Sequence, residues 1–384
     1  MTRSNPTLAG EWVVQFCHGY DGPFLDCARQ YAALFAGTDY KVCTVYLTGK
    51  PSAEVEQGSA SDEVIFLNYS SRQVRGLKLK AIADFKRLVS SRHFVLCIAH
   101  RAKPMYIALL GSKLPVIGVH HAFGDYSRVG RRLFANLFAK RLSLLAVSNA
   151  VRDEIRTRLP RWPAARIQTL YNRIDIAALQ AEQVTRAEAR EQLGLPADAW
   201  VVANVGRLHP DKDQATLLEA FAQALPQLPE GSLLVILGKG RLESALKTQA
   251  QQLGIARSVR FLGQVPQARR YFKAFDAFAL SSDHEPFGMV LLEAMVAGVP
   301  VIASNCGGAP EVIKGAGLLF PLRDADSLAQ GLRHLAALDE GLLQECAERM
   351  HARLQESFTD AAVSAAFWQL PQLARLDAPQ HIAN

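Results

Sequence analysis

A Cys-x-x-Cys pair is missing from all 384 residues, and the six cysteines (Cys17, Cys27, Cys43, Cys97, Cys306 and Cys346) lie scattered along the chain. That spacing excludes a zinc ribbon and a disulfide framework, and it predicts reduced thiols. No apolar run reaches the roughly 18 residues that a membrane-spanning helix needs. The nearest approach, residues 288–304, is interrupted by Glu293 and a Gly-Val-Pro break. The opening "MTRSNPTLAGEWVVQFC" has no charge-free apolar stretch before a cleavage-like site, so no secretory signal is expected. A complete Gly-x-Gly-x-x-Gly loop is also lacking. "GKGRLE" stops one glycine short, which argues against a dinucleotide-dependent oxidoreductase. Low-complexity tracts and short internal repeats are absent, and the 49% hydrophobic content is enough for a large core.

Acidic residues are scarce in the first half. Residues 1–180 hold 25 Lys and Arg against 13 Asp and Glu (+12); the rest hold 18 against 23 (−5). Such asymmetry points to an anionic partner for the first half. Much of the charge sits in "SRQVRGLKLKAIADFKRLVSSR", "SRVGRRLFANLFAKR" and "RDEIRTRLPRWPAAR". These stretches carry no zinc-finger or RNP signature, so nucleic acid is not the expected partner. Basic helices interleaved with Phe and Leu suit an anionic membrane surface, or else form ordinary solvated faces.

What is present is alternation. "EWVVQFC", "KVCTVYL", "EVIFLNY", "HFVLCIAH", "LPVIGVHH", "LLAVSN" and "RIQTLYN" read as strands, separated by helices such as "FLDCARQYAALFAG". A second series runs through "WVVANVG", "SLLVILG", "VRFLGQV", "DAFALSS", "VPVIASN" and "GLLF". Short apolar runs alternating with helices predict parallel sheets covered on both faces. The expected fold is α/β, with two Rossmann-like doubly wound domains facing across a cleft. Their bounds are expected at 1–180 and 199–355. Residues 181–198 form a polar linker, and 356–384 a C-terminal helix and frayed tail that can cross back to the first domain. Ligands of such sheets bind at the strands' carboxyl ends.

"SSDHEPFGMVLLEAMVAGVPVIASNCGGAPEVI" places Glu285 and Glu293 eight residues apart in apolar surroundings. On one continuous helix they would stand roughly 80° apart and about 12 Å along the axis, too far for one small group. Pro286 and Gly288 instead read as a helix entry, with Glu285 in the loop before it. The amides of Phe287, Gly288 and Met289 then form an anion site suited to phosphates. Glu293, on a helix apolar all round, should be buried and hold hydrogen-bond donors such as a ribose diol. The alternative is structural: Glu285 favours the helix dipole, and Glu293 pairs with a buried Arg.

This segment resembles the Glu-x7-Glu signature of the retaining glycosyltransferases of family four, which have the GT-B fold. The similarity extends to "NVGRLHPDKDQATLLEAF", "VSNAVRDEI", "YNRID" and the Gly-x-Gly of "LVILGKG". It implies that Arg207 and Lys212 bind the donor diphosphate, Glu293 the ribose, Glu285 the transferred sugar, and Val265 the nucleobase through its backbone. It also implies that His120, with His121 as runner-up, projects from its strand end, and that Gly19 or Gly22 lets backbone approach the ligand. The adjacent glycine pair usual in that loop is absent, and Arg173 stands where the family commonly has Gly. The implied chemistry is transfer from a nucleotide-diphosphate donor, a UDP-hexose favoured, to an envelope glycolipid or polysaccharide such as the lipopolysaccharide core. Configuration is retained by front-face attack, and domain closure assembles the site. No cofactor and no metal are expected, because both Asp-x-Asp strings, at Asp211 and Asp324, sit at helix starts where Asp caps amides. The expected location is cytoplasmic, peripheral on the inner membrane face. The rival is a catalytically silent protein of the same fold that binds a nucleotide-sugar or an anionic partner.

Overall fold

Runs rich in Val, Ile, Leu and Ala, most of them buried on both faces, form thirteen strands among the residues that the computed structural model describes, 10–22 and 24–379. In the first unit these are β1 (Trp12–Cys17), β2 (Lys41–Thr48), β3 (Glu63–Tyr69), β4 (Phe94–His100), β5 (Val116–His120), β6 (Leu142–Ala146) and β7 (Ile167–Thr169). In the second they are β8 (Val201–Val205), β9 (Leu233–Leu237), β10 (Val259–Gly263), β11 (Ala277–Leu280), β12 (Val301–Ser304) and β13 (Leu318–Phe320). The sheets run β3-β2-β1-β4-β5-β6-β7 and β10-β9-β8-β11-β12-β13, with parallel pairing throughout. Both are doubly wound α/β sheets. The strand order reverses between β1 and β4 and again between β8 and β11, where crevices open at the carboxyl edge.

The first unit comprises the chain up to Asn172 together with residues from Val363 onward; the second is Arg173–Ala362. The helix Asp360–Trp368 delivers Phe367 and Trp368 to the first unit's core, where the Trp368 indole donates to the Leu34 carbonyl (2.9 Å). The N-terminal segment before Gly10, read as lacking a secretory signal, and the expected frayed end, 380–384, lie outside the described residues.

The polar composition of residues 181–198 predicts a linker. These residues carry the end of one helix, Ile176–Glu182, and a second, Arg186–Leu193, started by a Thr185–Glu188 capping box. An arginine rather than an apolar stripe docks this second helix. Arg190 is buried and donates to Asp276 (2.8 Å) and to the Ala274 carbonyl (3.0 Å), so apolar periodicity gave little sign of it. Arg173 is likewise buried and pairs with Asp360 inside the second unit.

Candidate active site

The loops leaving β8 and β11 flank the order reversal of the second sheet. The first carries Arg207 and Lys212, the second Ser281 to Gly288. Lys212 Nζ lies 2.7 Å from Glu285 Oε2, with the side chains only 18% and 9% exposed. Ser282 Oγ donates to the same oxygen (3.1 Å). A carboxylate this enclosed needs a cation and a donor, and it has both. Lys212 is aimed by the turn Pro210–Lys212, whose proline sets the first dihedral, and the Ser281 hydroxyl holds the Lys212 carbonyl (3.0 Å).

Arg207 is exposed and donates to Asp211 Oδ2 (3.2 Å), while Asp211 Oδ1 pairs closely with His209. The expectation that the Asp-x-Asp strings cap amides therefore holds for Asp324, which accepts from Ser327 N (2.9 Å), but not for Asp211. A neighbouring guanidinium and imidazole take that carboxylate first.

Gly288 adopts a left-handed conformation (φ 102°) and starts the helix Met289–Val296. The first-turn amides of such a helix have no intrahelical acceptor. Glu293 corrects the sequence reading: it is half-buried, not enclosed. With Met289 and Val290, one turn earlier, it shares the partly open face, whereas Leu291, Leu292, Ala294 and Met295 fill the core. Phe287 is buried and packs edge-on against Phe358 (5.8 Å), so its ring belongs to the core.

Glycines bring the loops together. A Cβ at Gly307 would stand 2.0 Å from the Glu285 carbonyl oxygen, and Gly308 N donates to that oxygen (2.8 Å). A Cβ at Gly238 would stand 1.8 Å from the Gly206 carbonyl. Gly238 N also donates to Gly263 O (2.7 Å), tying in the loop that carries the partly buried Val265. Arg207, Lys212, Val265, Glu285 and the Phe287–Met289 turn thus gather at one carboxyl edge. The close approach of Gly238 to Gly206 holds that arrangement, together with Ser282, which nothing in the sequence marks.

In the first unit His120 does not project. It is 1% exposed, Nδ1 lies 2.7 Å from Asp125 Oδ2, and Nε2 lies 3.2 Å from the Tyr126 hydroxyl. Burial opposes the Asp125 charge, but His120 and Arg131 hold its pKa below the usual carboxylate value. The neighbouring His121 is the more open ring. Burial first, then the charges of His120 and Arg101, lower its pKa to about 4. Its Nε2 faces His100 Nδ1 (3.3 Å) and Cys27 Sγ (3.8 Å). Gly22, exposed and left-handed (φ 62°), would meet nothing with a Cβ, while Gly19 is backed by Thr48 Oγ1 at 2.9 Å. Of the two, Gly19 is the close-approach position, and what approaches it is β2.

The basic stretch "SRVGRRLFANLFAKR" has an open apolar face. On the helix Val129–Leu137, Val129, Leu133 and Leu137 are 59%, 64% and 75% exposed at a four-residue spacing. Leu77 and Leu79 are exposed beside Lys78, whose ammonium lies over Tyr106 (4.8 Å). Tyr106 in turn stacks on Phe134 of the first helix (4.7 Å), which links the two exposed apolar groups, and Arg128, Arg132 and Lys78 lie beside them in the chain. No helix among the described residues is long and apolar enough to cross a membrane.

Comparison with known proteins follows the same division. Residues 25–178 match the family model described as Glycosyltransferase Family 4, and residues 185–353 match Glycosyl transferases group 1. LpsE of Rhizobium meliloti, a lipopolysaccharide core biosynthesis glycosyltransferase, is 36% identical over 183 residues, 47% of this chain and 52% of that protein. The chain thus spans about half the length of the curated relatives it matches. A glycosyltransferase of Rickettsia africae aligns with TM-score 0.81 over 94% of this chain and 97% of its own, at 14% identity. HepE of Anabaena, solved with UDP and glucose, aligns with TM-score 0.73 over 92% and 97%, at 22% identity. Identities that low establish the fold alone. With a matching glycosyltransferase model in each half and this double-sheet architecture, the chain belongs to the family-four glycosyltransferases of GT-B fold.

Proposed function

We propose that this protein transfers a sugar, with a UDP-hexose the favoured donor, to a hydroxyl of an envelope glycolipid or polysaccharide, the lipopolysaccharide core being the leading acceptor. The observation that carries the reading is the Lys212–Glu285 pair, set at the order reversal of the second sheet beside the first turn of the helix Met289–Val296. A leaving diphosphate gains one negative charge as its bond to the sugar breaks. Arg207, Lys212 and the helix amides supply positive charge there without a metal ion. Glu293, on the open face, takes the ribose hydroxyls, and the backbone at Val265 takes the base. Glu285 Oε2 is already committed to Lys212 and Ser282, which makes it a poor nucleophile and a good acceptor for a sugar hydroxyl. Front-face attack, with the departing phosphate taking the acceptor's proton, fits that commitment and retains the anomeric configuration.

The test is a thermal-shift panel with UDP, GDP, ADP and CDP on wild type and Glu293→Ala. A diphosphate at a hundred times its Kd stabilises the fold by about 2.7 kcal/mol. One nucleotide should raise the wild-type midpoint, with the response lost in the variant, and NMR of the product should show the donor's anomer. Silence toward all four would favour the non-catalytic reading.

The acceptor's membrane accounts for the apolar patch. On this reading the enzyme is peripheral on the cytoplasmic face of the inner membrane, with Val129, Leu133 and Leu137 in the lipid interface and Arg128, Arg132 and Lys78 on anionic headgroups. Burying one Leu contributes about 1.5–3 kcal/mol. Leu133→Asp should therefore weaken sedimentation with phosphatidylglycerol vesicles more than about tenfold and leave nucleotide binding unchanged. Equal sedimentation of variant and wild type would remove the patch from the membrane.

A further inference from the structure

Three side chains at the carboxyl edge of the first sheet converge without a role in donor binding. Cys27 lies in the first turn of the helix Phe24–Ala33, His100 ends β4, and His121 follows β5. Cys27 Sγ is 3.6 Å from His100 Nδ1 and 3.8 Å from His121 Nε2, and the two nitrogens are 3.3 Å apart. Among the described residues this is the one group of three Cys, His, Asp or Glu side chains so arranged.

We propose that Cys27, His100 and His121 bind a zinc ion. With Zn–S about 2.3 Å and Zn–N about 2.05 Å, a tetrahedral ion spaces its ligands about 3.6 Å apart for S···N and about 3.3 Å for N···N. The three separations match that triangle within a few tenths of an ångström. Hydrogen bonding explains it less well, since 3.3 Å is beyond the usual range for an N–H···N bond and the thiol and ring protons together bridge at most two edges of the triangle. A single ion meets all three donors at once. The ligand set is also chemically selective: one thiolate with two imidazoles suits zinc, whereas oxygen-seeking magnesium and calcium would leave it. Binding replaces the Cys27 thiol proton, which leaves to solvent, and the fourth coordination position goes to a water oxygen. Metallation at His100 Nδ1 places that ring's proton on Nε2. Nε2 is buried without a hydrogen-bond partner among the described residues, and the ring meets Tyr31 in a T-shaped contact at 4.7 Å. The ion would clip the helix Phe24–Ala33 to the ends of β4 and β5. It lies in the first unit and takes no part in holding the donor diphosphate, which falls to Arg207 and Lys212.

The experiment uses the untagged full chain equilibrated with zinc, then dialysed and assayed for metal. Wild type should retain about one zinc per chain, and Cys27→Ser and His121→Ala less than a tenth of that, each with an unchanged far-UV circular dichroism spectrum. Cobalt exchanged into wild type should give a thiolate-to-metal charge-transfer band, a readout that needs no variant to fold. Wild type retaining no stoichiometric zinc, cobalt without the thiolate band, or undiminished zinc in folded Cys27→Ser would each overturn the proposal.

Discussion

Lys212→Met should abolish most transfer and lower stability together, and a second substitution should separate the two effects. Without its ammonium, the Glu285 carboxylate keeps only the Ser282 hydroxyl of its observed side-chain partners in an enclosed site. Removing one member of a fully buried pair costs about 3–5 kcal/mol; with Lys212 still 18% exposed, about 2 kcal/mol is the expected loss in urea unfolding. For transfer, loss of a donor aimed at developing charge lowers kcat by about 10²–10³-fold. Adding Glu285→Gln removes the stranded charge, so the double variant should recover part of the stability and none of the activity. A kcat within tenfold of wild type for Lys212→Met would take this residue away from the diphosphate.

Gly238→Ala carries the second large effect, although it touches no ionisable group. Its φ of 142° is outside the range side chains favour, and the added methyl would stand 1.8 Å from the Gly206 carbonyl oxygen. Neither backbone can yield cheaply. Gly206 N is bonded to Leu237 O (2.9 Å), and Leu208 N to Lys239 O (3.1 Å). The variant should lose about 3 kcal/mol or more, a fall of roughly 6–12 °C in the midpoint for a unit of this size. Gly22→Ala is the control. It also has a positive φ (62°), but in the left-handed region that a side chain can reach, with nothing within 4 Å, so only about 1 kcal/mol of conformational strain is expected. Midpoints within 2 °C of each other for the two variants would mean that the loops after β8 and β9 do not approach as described.

The strands were legible because a parallel strand buried on both faces has no polar positions to blur its pattern. "LLVIL" in β9 and "VIAS" in β12 could hardly sit anywhere else. The helix Arg186–Leu193 was not, because a buried arginine docks it. In the site, the order of residues around Glu285 carried the resemblance, since loop chemistry at a strand end is local. Glu293 shows where local reasoning fails. Apolar neighbours on a helix do not reveal which face the rest of the fold leaves open.

His120 and His121 make the point most sharply. Adjacent residues at a strand end point to opposite sides, so one ring is enclosed and the other accessible, and nothing in "VIGVHHAFG" says which. Asp125 and Tyr126 decide it by taking both nitrogens of His120. The Cys27–His100–His121 triangle is harder still, because its corners lie 73 and 21 residues apart in the chain. By itself the sequence determined the two doubly wound sheets and the loop chemistry at the carboxyl end of the second, since burial pattern and turn residues act over a few positions. Only the tertiary structure decided which histidine is enclosed, which face of the Glu293 helix stays open and which distant thiol meets which imidazoles. Those depend on how whole elements pack, and packing joins residues that no local pattern connects.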